Sequence, residues 1–183
     1  MWSCLCNLVS ELCHLDRFRD VTIGETSQNQ RYKMEIRKAK TEERASINAL
    51  ILRSKAHWGY DDAFMDACRD ELSMDAERLL SDNFRVLQHH GKVVGTVELA
   101  VEGPKAHLHK LFIDPDLIGS GAGRILYEWA LARARSFNAT AMLIDADPDA
   151  CGFYEYMGAR VIGQVPSGSI EGRFLPLLQH DLT

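Results

Sequence analysis

The strongest constraint on the fold is a strand pattern that runs into a glycine-rich turn and then into an amphipathic helix pattern. Residues 108–115 (LHKLFIDP) form the strand and its end, and residues 119–124 (GSGAGR) form the turn. The first N–H groups of such a helix have no partner within it, and the positive end of the helix dipole lies at the same place. Arg124 adds a cation to the first turn, and Glu128 is the next carboxylate along the chain. The pattern therefore predicts a binding site for a phosphate group.

The glycine spacing argues against two common phosphate-binding loops. A P-loop needs Lys followed by Ser or Thr after its last glycine, whereas Arg124-Ile125 stands here. A dinucleotide fingerprint reads G-x-G-x-x-G, whereas this turn reads G-x-G-x-G, although Asp145 lies at a suitable distance downstream for a ribose contact. A dinucleotide-binding oxidoreductase stays open as a weaker alternative, and so does a turn that serves only to pack a helix closely on a strand.

A second motif follows further along the chain, where residues 150–159 read ACGFYEYMGA. This motif, placed after the 118–123 pattern I-x-x-G-x-G, resembles the GNAT N-acetyltransferase superfamily in its bacterial form, as does the tail at residues 165–177. The resemblance covers residues 34–182 and implies an α/β (α+β) fold, with a mixed, mostly antiparallel central sheet flanked by helices on both faces. It implies an enzyme that moves the acetyl group of acetyl-CoA to an amine acceptor by direct nucleophilic attack.

The resemblance also implies where acetyl-CoA binds as co-substrate, with no metal. The backbone of Leu111, Phe112 and Ile113 is expected to pair with the pantetheine arm. The pyrophosphate is expected on the backbone of the turn, which comprises Gly119, Ser120, Gly121, Ala122, Gly123 and Arg124. Two positions depart from the family pattern, because Ile118 stands where Gln or Arg is usual and Asp149 where Asn is usual. Their side chains are therefore not expected to contact the cofactor as in relatives, and Asp149 is expected to be a first-turn acid of its helix.

Acetyl transfer needs a proton for the departing thiolate and a group that takes a proton from the amine. By resemblance, Tyr154 lies beside the cofactor sulfur and is the expected general acid, since a phenol with a pKa of about 10 keeps its proton at neutral pH. Tyr156 is the second choice for this role. The general base is less determined: His109 is the first candidate because a pKa of about 6.5 suits a proton acceptor. His107 on the same face, Glu98 and a chain of water molecules are alternatives.

The acceptor is expected near residues 57–60, between the first two predicted helices, because this segment shapes the acceptor pocket in the superfamily. His57, Trp58 and Tyr60 could receive an amine through cation–π contacts. The same residues could equally form a connecting turn whose tryptophan packs on the core. The acceptor itself, a small molecule or a peptide, stays open, as does a longer acyl donor. A non-catalytic acyl-CoA-binding module is the main alternative function; it would bind acetyl-CoA without releasing the thiol.

Composition limits the partners of the chain. The 183 residues suit one domain, and a net charge of −5 without a long basic run argues against a nucleic-acid partner. No apolar run approaches the roughly 20 residues that span a bilayer, so no membrane partner is expected. The five cysteines are odd in number and unevenly spaced, which predicts reduced thiols and a cytoplasmic location rather than a disulfide framework or a zinc site. A homodimer stays open.

Residues 1–33 are expected to form an extension, and residues 34–183 the acetyltransferase domain. Apolar residues at positions 5, 8, 9, 12 and 15 share one helical face, and the polar stretch 24–30 reads as a linker. The extension is predicted to be dispensable for chemistry, with a docking helix for a partner as the rival interpretation.

Hydrophobic periodicity predicts alternating elements from residue 34 onwards. A strand at 36–39 precedes a helix that Thr41 caps, with Ala45, Leu50 and Ile51 facing inward. The remaining predicted elements, in order, are a helix capped by Asp61 or Asp62, a hairpin of strands 84–88 and 93–101, a strand at 106–113, a helix at 121–136, a strand at 141–145, a helix at 148–157, and strands at 159–163 and 174–180.

Overall fold

The computed structural model describes residues 34–183, which form one mixed sheet with helices on both faces. The strands are β1 (Glu35–Arg37), β2 (Phe84–His89), β3 (Lys92–Glu102), β4 (Lys105–Ile113), β5 (Ala141–Asp145), β6 (Arg160–Pro166) and β7 (Phe174–Asp181). The helices are α1 (Arg44–Ala56), α2 (Asp62–Leu72), α3 (Ala76–Leu80), α4 (Ala122–Ser136) and α5 (Cys151–Tyr156). The strand order is β1-β2-β3-β4-β5-β7-β6, and only the β4–β5 pair is parallel. The expected fold class is confirmed.

Strand β4 carries a β-bulge near its middle. Lys110 pairs with Glu98 on β3, whereas Leu108 pairs with the next residue, Leu99, so His109 has no partner in this ladder. An extra residue of this kind bends the strand and changes the direction in which neighbouring side chains point. The bulge immediately precedes Leu111–Ile113, the segment of β4 that the sequence analysis expects to pair with the cofactor.

Strands β4 and β5 run side by side for only part of their length. Their parallel pairing ends at Leu108 and Ile144, whereas β4 continues to Ile113 and the end of β5 pairs with β7 on its other edge. The edge of β4 that faces β5 therefore has free backbone groups over residues 109–113. Such groups can pair with an extended ligand as a further strand would.

Each face of the sheet has its own apolar core. Helix α4 buries Leu126, Tyr127 and Ala130 in one core, while α1 buries Ile47 and Ile51 in the other. Each large side chain of this kind contributes roughly 1.5–3 kcal/mol relative to leaving it in water. The two cores keep the helices against opposite faces and leave the gap between β4 and β5 as an opening in the sheet.

Local details differ from the sequence expectations where side chains compete for helix ends. Thr41 does not cap α1: it begins a short 3₁₀ turn, and the carboxylate of Glu43 accepts the N–H of Lys40 at 2.9 Å. Ala45 is exposed rather than inward, because at 3.6 residues per turn it lies about 200° around the helix from Ile47, with which the buried face of α1 begins. The expected second helix begins as predicted, with Asp61 accepting the N–H of Phe64 at 2.8 Å.

Two further elements were not expected in their observed form. Helix α3 is short and has Asp75 as its cap, and residues 148–150 form a 3₁₀ turn before α5. No helix within residues 34–183 is long and apolar enough to cross a membrane. The predicted extension at residues 1–33, with its helical face and linker, lies outside the described residues.

Candidate active site

A cavity of about 520 Å³ opens where β4 and β5 separate. Its walls come from the end of β4, the glycine turn, the segment between β5 and α5, helix α5 and the C-terminal half of α1. Backbone groups of Leu111, Phe112 and Ile113 line it, as the sequence analysis expected of the pantetheine site. A long, flexible ligand can therefore reach from the glycine turn to the bulge of β4.

The glycine turn has the backbone conformation that only glycine adopts readily. Gly119 and Gly121 have φ of +81° and +91°, and a side chain there would be strained although nothing lies within 4 Å of the added Cβ. At the start of α4 the hydroxyl of Ser120 accepts the N–H of Ala122 at 3.4 Å, while the N–H groups of Gly123 and Arg124 have no hydrogen-bond partner among the described residues. The requirement at Gly123 is different, because a Cβ there would meet the ring of Phe153 at 3.3 Å.

The remaining residues of the turn fall into two groups. Gly119, Gly121, Gly123 and Arg124 line the cavity, whereas Ser120 and Ala122 do not. The guanidinium of Arg124 donates to the hydroxyl of Tyr156 at 2.9 Å and lies 5.5 Å from the centre of its ring. The Arg124 guanidinium is therefore held beside the start of α4, where it would also pair with an anion bound there.

Tyr154 lies in the wall of the cavity and is only 7% exposed. Its ring packs at 5.1 Å from that of Phe153 and 5.8 Å from that of Tyr127, and its hydroxyl forms no hydrogen bond to any part of the chain that the structure describes. Burial raises the pKa of this phenol well above its usual value. Tyr154 is therefore protonated at neutral pH and has a proton free to donate. Tyr156, the second choice, is 75% exposed.

A second cavity of about 350 Å³ shares a wall with the first. The shared residues include His109 and Lys110 of β4, Glu71 of α2 and Asp145 at the end of β5, and Pro166 and Gly168 line the second cavity alone. The carboxylates of Glu71, Asp145 and Asp70 line the second cavity, and none of them forms an ion pair with a described residue. Arg78 and Lys110 line the same cavity, and Arg78 is paired with Glu98, so the three carboxylates outnumber the cations there.

The candidate general bases differ in whether another side chain of the protein is already bound to them. His109 borders both cavities, and desolvation lowers its pKa below the usual value, so that the imidazole is neutral at pH 7. Its ring lies 6.3 Å from that of His107, which lines the second cavity. Glu98 is nearly buried and accepts two hydrogen bonds from Arg78, at 2.9 and 2.6 Å. Both carboxylate oxygens of Glu98 are therefore already hydrogen-bonded to Arg78.

Lys110 is a buried cation that the sequence analysis missed. Its ammonium donates to the backbone carbonyl of Glu71 at 2.8 Å, and desolvation together with the nearby Arg78 lowers its pKa. The signal was present in the chain, because Lys110 interrupts an otherwise apolar strand end. Glu71 left no comparable signal, since a carboxylate near the end of a helix is ordinary on a solvated face.

The three residues proposed to contact the acceptor have separate positions. Trp58 lines the first cavity and is partly exposed, with His57 packed against it at 5.3 Å. His57 and Tyr60 line neither cavity. The hydroxyl of Tyr60 is 2.9 Å from both carboxylate oxygens of Asp147. The Tyr60 hydroxyl is thus already hydrogen-bonded within the protein.

Ile118 and Asp149, the two departures from the family pattern, both border the first cavity. Ile118 is exposed at its mouth and can offer only apolar contact. Asp149 lies in the 3₁₀ turn before α5, where its N–H is bound by the carboxylate of Asp147 at 3.2 Å.

The comparisons with known proteins agree with this geometry. The family model described as "Acetyltransferase (GNAT) family" matches residues 48–159. Peptidyl-lysine N-acetyltransferase YjaB of Escherichia coli K12 is 30% identical over 153 residues, which covers 78% of this chain and 92% of that protein. The chain therefore belongs to the GNAT acetyltransferase family. It is an N-acetyltransferase that takes its acetyl group from acetyl-CoA.

Solved structures show the same fold. The PaiA N-acetyltransferase of Thermoplasma acidophilum, in complex with coenzyme A, superposes with a TM-score of 0.68 at 19% identity, over 81% of this chain and 99% of that one. YncA of Salmonella typhimurium, solved with its cofactor acetyl-CoA, gives a TM-score of 0.60 at 21% identity, over 82% of this chain and 95% of that one.

Proposed function

We propose that the protein acetylates the side-chain amine of lysine in peptides or proteins. The observation that carries this proposal is the wall shared by two cavities, one suited to acetyl-CoA and the other lined by the carboxylates of Asp70, Glu71 and Asp145 without an ion-pair partner among the described residues. Unneutralised carboxylates attract an ammonium group and raise its local concentration. The relative YjaB is named a peptidyl-lysine N-acetyltransferase, which supports the same acceptor.

In this proposal the first cavity holds acetyl-CoA. The pantetheine arm pairs with the free edge of β4 at Leu111–Ile113, and the pyrophosphate lies on the turn 119–124 with Arg124 beside it. The extended arm completes the backbone hydrogen bonds that β5 leaves open. The phosphate binds the start of α4, where the N–H groups of Gly123 and Arg124 have no hydrogen-bond partner among the described residues.

The proposed chemistry divides the proton transfers between the two cavities. His109 accepts a proton from the ammonium that enters the second cavity, and the neutral nitrogen attacks the thioester carbon. The C–N bond forms and the C–S bond breaks, while Tyr154 donates its proton to the departing thiolate. The second proton of the attacking nitrogen then restores the Tyr154 phenol, and His109 releases its proton to solvent. The lowered pKa of His109 and the raised pKa of Tyr154 match these roles, since each group then starts in the required protonation state.

An acceptor panel tests this proposal through the release of the CoA thiol. The panel contains a peptide with a blocked N-terminus and one lysine, the same peptide with norleucine in its place, a peptide with only a free N-terminus, free lysine and a polyamine. The proposal expects turnover with the lysine peptide and none with the norleucine control. Turnover confined to the free N-terminus or to the small amines would refute the proposed acceptor.

A further inference from the structure

A cluster of four polar side chains, the Tyr60 cluster, lies beside the first cavity. It consists of Lys55, Tyr60, Asp147 and Arg173. The Tyr60 hydroxyl donates to Asp147, with both carboxylate oxygens at 2.9 Å, and accepts a hydrogen bond from Arg173 at 2.7 Å. Lys55 forms an ion pair with the same carboxylate, and Arg173 is 3.8 Å from it. The Lys55 and Asp147 side chains are only 13% and 11% exposed, so water weakens these contacts little.

The Tyr60 cluster joins three distant parts of the chain. Lys55 lies near the end of α1, Tyr60 in the segment between α1 and α2, Asp147 in the turn after β5, and Arg173 immediately before β7. The helices α1 and α2 pack against the β3–β4 half of the sheet, whereas β5 and β7 lie beyond the opening. The cluster therefore ties the two sides of that opening together through hydrogen bonds and charge.

Aromatic contacts hold the cluster in place independently of the hydroxyl. The ring of Tyr60 stacks on that of Phe64 at 4.0 Å and 9° between planes. The guanidinium of Arg173 lies over both rings, at 5.0 and 4.7 Å from their centres, and the ammonium of Lys55 lies 4.8 Å from the ring of Tyr60. Removing the hydroxyl alone would therefore leave the ring packed and cut only the hydrogen bonds of Tyr60 to Asp147 and Arg173, while the direct Arg173–Asp147 contact remains.

The segment before β7 also forms a wall of the second cavity. Ser169 contacts the carboxylate of Glu71 on α2, and Ile170 packs against the core beneath that helix. Gly168 and Leu175 line the second cavity from this segment and from the start of β7. Arg173 lies between them in sequence, so the position of this wall depends on the contact between Arg173 and Tyr60.

We propose that Tyr60 and Arg173 are positioning residues that hold the segment before β7 against the α1–α2 segment and so keep it in place as a wall of the acceptor site. This inference rests on the proposed use of the second cavity by the amine acceptor. A misplacement of about 1 Å in such a wall can cost about a hundredfold in rate. Tyr60 thus acts on the acceptor through Arg173 and Asp147 rather than by touching it.

The test compares Tyr60→Phe and Arg173→Met with a control, Tyr127→Phe, which removes a phenolic hydrogen bond to His180 outside both cavities. We expect each test variant to raise the KM for the amine about tenfold or more, with the dissociation constant for acetyl-CoA within about twofold of wild type. The effects of the two single variants should be less than additive in the double variant, because the hydrogen bond between Arg173 and Tyr60 is lost in both. The control should lower Tm without changing either constant.

A second measurement does not depend on the acceptor. Amide hydrogen exchange should increase in residues 57–64 and in residues 167–173 together when either side of the link is removed, and the control should leave both segments unchanged. An unchanged KM, an equal loss of acetyl-CoA affinity, or exchange that rises in one segment only would overturn the proposal. If the wild-type enzyme prefers a different amine from the panel, the peptidyl-lysine proposal fails, and the same variants are measured with that amine.

Discussion

Two neighbouring tyrosines allow a sharp test of the proposed general acid. Tyr154 and Tyr127 pack against each other with ring centres 5.8 Å apart, and burial raises the pKa of both phenols. Only Tyr154 borders the first cavity, whereas the hydroxyl of Tyr127 is 3.1 Å from Nδ1 of His180. The same substitution to Phe at each position therefore separates the loss of a proton donor from the loss of packing.

The two variants are expected to have opposite effects: one should change turnover and the other stability. Tyr154→Phe removes a hydroxyl without a hydrogen bond among the described residues, so the free energy of unfolding should change by less than about 0.5 kcal/mol. Turnover should fall by about 10²–10⁴-fold, which corresponds to roughly 2.7–5.4 kcal/mol of activation free energy. Tyr127→Phe should cost about 1–2 kcal/mol of stability, because it leaves His180 without that partner, and should leave turnover within about threefold.

The assay combines steady-state release of the CoA thiol, calorimetric binding of acetyl-CoA and thermal unfolding for both variants. The pH dependence adds a second criterion. Because the pKa of Tyr154 is raised, deprotonation of this phenol should not reduce wild-type activity below about pH 10. Turnover of Tyr154→Phe within threefold of wild type, at unchanged acetyl-CoA affinity, would refute the assignment. A large loss of turnover in both variants would refute it too, because packing would then explain the effect.

Three further predictions follow from the same geometry. His109→Gln should lower kcat/KM for the amine about 10²-fold. In the wild type, kcat/KM should fall as the pH drops through a value below about 6.5, because desolvation lowers the pKa of His109. A fall in wild-type kcat/KM that is centred at or above about pH 6.5 would contradict this. Gly121→Ala should cost about 1–2 kcal/mol of stability by thermal unfolding and weaken acetyl-CoA binding, because φ is +91° there, whereas Gly152→Ala, with no positive φ and open space around it, should do neither. Arg78→Met should lower Tm by several degrees, because it leaves the buried Glu98 without its two hydrogen bonds; Arg69→Met, which breaks an exposed pair with Asp66, is the control.

Much of the fold was readable because its signals are local. Residues 108–136 form a strand, a glycine turn and a helix. These elements depend on backbone conformation and on a short hydrophobic period, and neighbouring residues determine both. Helix ends were less readable, as Thr41 and Ala45 show. There the carboxylate of Glu43 accepts the N–H of Lys40 at the start of a 3₁₀ turn over residues 41–43, and Ala45 falls on the exposed face of α1.

The candidate site was readable only in part. Leu111, Gly121 and Tyr154 border the cavity as expected, because each lies in a motif whose order along the chain is characteristic of the family. The acceptor side was less readable, since Glu71 and Lys110 belong to no motif. Their meeting depends on how far α2 extends over β4, which no short window of sequence contains.

The sequence alone determined the glycine-rich helix start and the two motifs that are typical of the family, because a positive φ and a short motif are properties of a few adjacent residues. The tertiary structure decided the rest. The bulge at His109 depends on the register of β4 against β3, and the Tyr60 cluster depends on contacts between residues 87 and 113 positions apart. Such contacts are set by the packing of whole elements, and the same residue types would be ordinary surface charges in another arrangement.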